Sequence, residues 1–365
     1  MSQRKVAGPE QTKALGGLQE VDRLVEVARD EERRGELAEA LGHFTQAMKG
    51  LPDTPSTRRA DIVRWMGTVR REMGDTSAAE SLYHESLRIA EGAGYLAGEA
   101  HAVNCLAIVT QRKGDVDRAA TLYRRAARLA GLAGEHRLSG MVEQNLGVLA
   151  NIRGDLDGAF VRYRAALAAF EIAGDKEGMS WVLNNIGMLK TDMHEFDEAH
   201  RSLDQGLEIA TEQGDLRMQG LFHLNLAEAY IAERRFDEAE EPCERALEIA
   251  SRRGDSLRRA DALRFLAVLA RERSDYAGAR RYLEDALWLA REGEDTLLVA
   301  EILKEKGTTW KLEGSQSEAL ASWEEAAGLF RSLDATLDAA AVEEQLASLS
   351  ARAPAAADRA LGGRA

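Results

Sequence analysis

Proline is scarce, with five in 365 residues, so little interrupts long helices. Aromatic residues make up only 5% of a chain that is 45% hydrophobic, and the apolar remainder, largely aliphatic and alanine, suits packed helices. Two cysteines, Cys105 and Cys243, are too few for a disulfide framework or a cysteine-rich zinc site. No apolar run approaches the ~18 residues of a membrane span. The charged, glycine-containing N-terminus has no signal-peptide core. These absences predict a soluble cytoplasmic protein with no membrane partner. A basic excess is missing as well: 62 acidic against 48 basic side chains leave a net charge of −14. That balance argues against nucleic acid, whose binding draws on phosphate neutralisation. The Ala-, Arg- and Gly-heavy composition fits a GC-rich bacterial source.

What the chain has in abundance is itself. Shifted by 40 residues, it aligns without a gap from Asp61 to Ala340. One column is alanine throughout: Ala79, Ala119, Ala159, Ala199, Ala239, Ala279 and Ala319. Twelve residues earlier stand Gly67, Ala107, Gly147, Gly187, Ala227, Ala267 and Gly307, always tiny. Four residues after the alanine come Tyr83, Tyr123, Tyr163, Leu203, Cys243, Leu283 and Trp323. An earlier copy (Ala28, Ala40, Phe44, Ala47) sits 39 residues before its counterparts, one residue being lost near Pro52–Pro55. Within a unit the apolar period is helical: Val142, Leu146, Leu149 and Ala150 form one stripe, Ala159, Tyr163, Ala166, Leu167 and Phe170 a second. Gly-Asp pairs such as Gly154-Asp155 and Gly174-Asp175 punctuate the helices, glycine for a left-handed end and aspartate for the next start.

These columns resemble the tetratricopeptide repeat over residues 21–350, in a long form similar to that of kinesin light chains, G-protein-regulating scaffolds and the sensor domains of bacterial regulators. The resemblance implies an all-α fold, a right-handed superhelical solenoid of antiparallel helix pairs. The repeats divide as 22–60, 61–100, 101–140, 141–180, 181–220, 221–260, 261–300 and 301–340, with a terminal helix over 341–352. They make a solenoid of residues 20–352, between a flexible arm (1–19) and a flexible tail (353–365).

In such a stack the resemblance places the first helix of each pair on the concave, partner-binding side. Helical spacing then selects the side chains that point there. The central repeats present Met141, Gln144, Asn145, Val148 and Ile152, then Trp181, Asn184, Asn185 and Met188, then Leu221, Leu224, Asn225 and Ile231. Cations flank them: Arg64 and Arg71 on one side, Arg264, Arg271, Lys304 and Lys311 on the other. An apolar floor crossed by amides and bounded by cations suits a peptide or amphipathic helix with acidic ends. Asn145, Asn185 and Asn225 could hold its backbone, since each amide both donates and accepts. Equally, these asparagines could bond neighbouring helices and serve the stack. The Lys/Asn/Asn/Lys/Arg set with which some relatives clamp chaperone tails is missing: after Arg64 the required positions hold Thr68, Cys105, Met141 and Asn145.

Catalytic chemistry finds no footing. His194-Glu195 is followed by Glu198 where a zinc protease needs histidine. Gly92-Ala93-Gly94 with Gly98 has the wrong last gap for a dinucleotide loop and follows a helix. No nucleophile, base and oxyanion site assemble. The sequence therefore predicts no enzyme, no metal and no cofactor, but a scaffold or adaptor that binds another protein. The alternative is a sensor whose groove takes a signalling peptide or small molecule and controls a separate output protein. Self-association through the terminal helix stays open. So does the placing of Pro242, near the start of a second helix. The arginine-rich stretch from Arg245 to Arg281 reads either as a patch for an acidic protein or as salt-bridged helix faces.

Overall fold

The computed structural model describes residues 9–350. Among them lie seventeen α-helices and no strand. In chain order they are α1 (Pro9–Arg34), α2 (Leu37–Lys49), α3 (Thr57–Glu72), α4 (Thr76–Ala93), α5 (Leu96–Arg112), α6 (Val116–Ala133), α7 (His136–Ile152), α8 (Leu156–Ala173) and α9 (Lys176–Asp192). Then follow α10 (Phe196–Glu212), α11 (Leu216–Ala232), α12 (Phe236–Arg253), α13 (Ser256–Glu272), α14 (Tyr276–Glu292), α15 (Thr296–Glu313), α16 (Gln316–Ser332) and α17 (Thr336–Ser350). Within each unit consecutive helices pack antiparallel as hairpins, and α17 closes the series against α16. The chain divides into two compact units, Met1–Val182 and Leu183–Ala365, with the division inside α9.

The turns follow one rule. A residue in the left-handed region closes a helix at every twentieth position from 74 to 334. Glycine fills nine of these fourteen places, for example Gly74 (φ +84°) and Gly114 (φ +85°), because it lacks the Cβ that makes this region costly. His194, Arg234, Ser274, Glu294 and Asp334 fill the rest, with φ between 55° and 65°. The next residue caps the following helix: Asp75, Asp115, Asp155, Asp175, Asp215, Asp255, Asp275 and Asp295 each accept a backbone N–H two or three residues on.

This 20-residue rhythm starts the first helices earlier than the 40-residue frame does. Helices α5, α7, α9, α11, α13 and α15 begin five residues before residues 101, 141, 181, 221, 261 and 301. The terminal helix likewise runs from Thr336 to Ser350, and α1 is already helical at Pro9, inside the stretch expected to be an arm. What the sequence suggests for residues 1–8 and for the tail 353–365 lies outside the described residues.

Packing explains the three sequence columns. All seven column alanines are fully buried where the helices of a pair cross. Tyr83, Tyr123, Tyr163, Leu203, Cys243, Leu283 and Trp323, also buried, fill the space beside the small residues that precede them. Pro242 lies inside α12, buried, six residues beyond its first residue Phe236. The Glu238 carbonyl there loses the N–H that residue 242 would otherwise donate.

Candidate partner-binding surface

In the first unit, α3, α5 and α7 carry the predicted stripe. Arg64 lies over the Trp65 ring at 5.4 Å and pairs with Asp61 at 3.1 Å. Asp61 also accepts from the Tyr95 hydroxyl at 3.3 Å. Arg71 pairs with Glu72 at 3.5 Å. Asn145 Nδ2 donates to Asn104 Oδ1 on the preceding first helix at 3.2 Å, while Gln144, Val148 and Trp181 are half-buried. His101 occupies the same face, and burial, with Arg64 and Arg137 nearby, pushes its imidazole down to about 3, so it is neutral near pH 7.

The second unit repeats the arrangement on α11, α13, α15 and α17. Asn225 Nδ2 donates to Asn184 Oδ1 at 2.6 Å, and both side chains are buried. Asn185, Met188 and Ile231 are half-buried. Leu221, Leu224, Asn225 and Arg264, four of the predicted residues, line one cavity of about 290 Å³ between α11, α13 and α15. Phe265 forms part of its wall, 4.4 Å beneath the Arg264 guanidinium. Arg264 is held by Asp261 at 3.0 Å and Glu301 at 3.3 Å. Glu228 lines the cavity without a hydrogen bond among the described residues, and burial raises its carboxyl above the usual range.

A second cavity, about 340 Å³, lies between α13, α15 and α17. Arg271, Lys304, Lys311, Thr308 and Trp323 contribute to its walls. Arg271 pairs with Glu305 and, at 3.5 Å, with Glu272. Lys304 lies 3.7 Å from Asp338, and Lys311 donates to the neutral amide of Gln345 at 2.8 Å.

The flanking cations are thus not equivalent. Arg64 and Arg264, which the sequence offers as anchors for a partner's acidic ends, already have carboxylates of their own, whereas Lys304 and Lys311 are weakly compensated. The sequence reading missed these carboxylates, as well as Trp65, Tyr95 and Glu228. The first residue of each unit was the available signal: Asp61, Asp261 and Glu301 all start 40-residue units, one helical turn before Arg64, Arg264 and Lys304. The arginine-rich stretch also resolves into pairs, among them Arg245–Glu248, Arg258–Asp255 and Arg273–Glu240. Among the described residues no group of histidine, cysteine or carboxylate side chains is placed to hold a metal ion. No described helix is long and apolar enough to cross a membrane.

A tetratricopeptide-repeat family model matches residues 138–212 and 219–292. No curated protein matches the chain in sequence. Among solved structures, the chain is similar to a signal-transduction ATPase with a tetratricopeptide repeat sensor from Pyrococcus horikoshii, with TM-score 0.69 and 13% identity, over 92% of this chain and 55% of that one. It is also similar to a Rap protein complexed with competence and sporulation factor (TM-score 0.57, 14% identity, 92% and 98% of the two chains). A third is the Rap conjugation gene regulator of plasmid pLS20 in complex with the Phr* peptide (TM-score 0.54, 15% identity, 80% and 79%). At these identities the likeness is one of fold.

Proposed function

Since the chain is a tetratricopeptide-repeat protein, we propose that it is a non-catalytic interaction scaffold, holding a peptide or helical segment of another protein against its first helices. The observation that carries this reading is the cavity where Leu221, Leu224, Asn225 and Arg264 converge. It joins an apolar floor, an amide and charged walls, the combination that fixes a peptide's side chains and backbone together. Within the same unit Asn185, Met188, Leu221 and Ile231 of the predicted stripe are half-buried, neither core nor solvated surface. Photo-crosslinking tests the assignment. A crosslinking amino acid at Leu221 or Met188 should capture a partner from the native lysate. The same group at Trp288 on α14, 63% exposed, should not. Capture at position 288 alone would remove the first helices as the binding face.

A second reading is a ligand-responsive regulator acting on a separate output protein. Its support is that the similar solved structures include a repeat sensor and two Rap proteins in complex, one with a peptide and one with competence and sporulation factor. Under this reading a small peptide or molecule, rather than a folded partner, would protect α11 and α13 from hydrogen exchange.

A further inference from the structure

The two cavities of the second unit share α13 and α15 yet carry opposite charge. The first is walled by Glu228, Asp261, Asp295 and Glu301 against Arg258 and Arg264. Arg258 is turned to Asp255, 3.2 Å away and outside that wall. Arg264 is paired with two carboxylates, and although its charge reaches Glu228, Glu228 makes no ion pair or hydrogen bond of its own among the described residues. Asn225, only 8% exposed, spends an N–H on Asn184, and its Oδ1 accepts no hydrogen bond among the described residues. An acceptor amide beside a surplus of carboxylates is built to receive N–H donors that carry positive charge.

The second cavity is the converse. Arg271, Lys304 and Lys311 stand against Glu305 alone within its walls. The Arg271 side chain is 10% exposed, and its Nε, like that of Arg264 in the first cavity, is buried without a hydrogen-bond partner. Lys311 has only a neutral amide to donate to. Donors held this way suit a carboxylate or another anion.

The acidic cavity takes the N-terminal halves of α13 and α15, and the basic one their C-terminal halves. Arg264 and Arg271 are seven residues apart and Glu301 and Lys311 ten, which is about 10–15 Å along a helix. An extended peptide covers that span in about three to five residues. We infer, building on the peptide-binding reading above, that this face selects a bipolar peptide segment, with a basic side chain in the Glu228 cavity and an acidic one at Lys304 and Lys311, in one fixed order. The order of charges along the segment is then what this part of the surface recognises, in place of the uniformly acidic ends that the sequence suggests. The same polarity suits the helix dipoles, so the test must read a ligand and not stability.

The experiment selects binders from a random twelve-residue peptide library on the immobilised full chain, with parallel selections on Glu228→Gln and on Lys304→Gln with Lys311→Gln. Circular dichroism melting checks that the variants fold. Wild type should enrich peptides with a basic residue three to five positions from an acidic one, always in the same order. Glu228→Gln should relax the basic preference and the double lysine variant the acidic one. A selected peptide resynthesised with its charges exchanged should bind at least tenfold more weakly. Enriched peptides without a fixed charge order, or preferences unmoved by the variants, would overturn the inference and leave the peptide-binding reading standing. No enrichment at all would overturn both.

Discussion

A β-carbon placed on Gly307 would lie 2.4 Å from Cδ1 of Trp323, whose indole N–H donates to the Lys304 carbonyl at 3.1 Å. The same relation, sixteen residues apart, recurs as Gly67 with Tyr83, Gly147 with Tyr163 and Gly187 with Leu203, where a β-carbon would meet the partner at 2.4–2.7 Å. Alanine stands instead at Ala107, Ala227 and Ala267, facing Tyr123, Cys243 and Leu283. At the glycine-bearing pairs the helices thus approach too closely for a β-carbon unless the partner side chain shifts.

Gly307→Ala should therefore destabilise the last repeats by about 1–3 kcal/mol, the usual cost of overpacking a filled site. Trp323→Leu in the same chain should recover part of the loss, because Ala267 with Leu283 is a working version of that pair. Hydrogen exchange of α15 and α16 is the suitable readout, since stability in a repeat array is local. Equal exchange in wild type and Gly307→Ala would refute the packing account.

The left-handed turns give a prediction of opposite sign. Ser274 holds φ 63° with no glycine to relieve it. Ser274→Gly should raise stability by about 0.5–1 kcal/mol: removing the Cβ strain gains more than the added freedom of the unfolded chain loses. Gly114→Ala, at φ +85° in open space, should cost about 1 kcal/mol through backbone strain alone. Thermal melts of the two variants should move apart.

His101 supplies the pH dependence. Its imidazole is depressed to about 3 by burial first, then by Arg64 and Arg137. In the unfolded chain it titrates near 6.5. The folded state therefore binds this proton less readily, so the contribution is intact above about pH 6.5 and is lost as pH falls toward 3. At pH 5 the loss is about 2 kcal/mol. Buried carboxyls raised in the fold, such as Glu228 and Glu301, act in the opposite direction. The comparison must then be with His101→Gln, which should lack this part of the acid loss. Parallel stability–pH curves would show that His101 carries no such linkage.

The helix-pair fold could be read from the sequence because it is periodic, and each column has one packing reason: a fully buried alanine at the crossing, a tiny residue facing a large one, a glycine at a left-handed turn. The candidate site was less legible. Arg264 looks like a free cation in the sequence, and only the fold brings Glu301, 37 residues away, beside Asp261 to neutralise it. Lys311 looks the same on paper, yet its neighbour from the next first helix is Gln345. Periodicity says which face a side chain occupies. It does not say which charge arrives from the adjoining helix, and that decides what the face can bind.

The asparagines show how that difference can be measured. Asn225 and Asn184 bond to each other at 2.6 Å and are 8% and 9% exposed. Asn225→Ala should therefore cost about 1–3 kcal/mol, since it strands the buried Asn184 carbonyl without its donor. Replacing both by leucine removes donor and acceptor together and should restore most of the melting temperature. Asn185 is half-buried and makes no hydrogen bond among the described residues, so Asn185→Ala should leave melting unchanged. A partner that contacts the amides directly must then bind Asn185→Ala more weakly at constant stability. If instead capture falls only in Asn225→Ala and returns in the double leucine variant, the asparagines serve the stack, and the partner's hold must come from the apolar and charged walls.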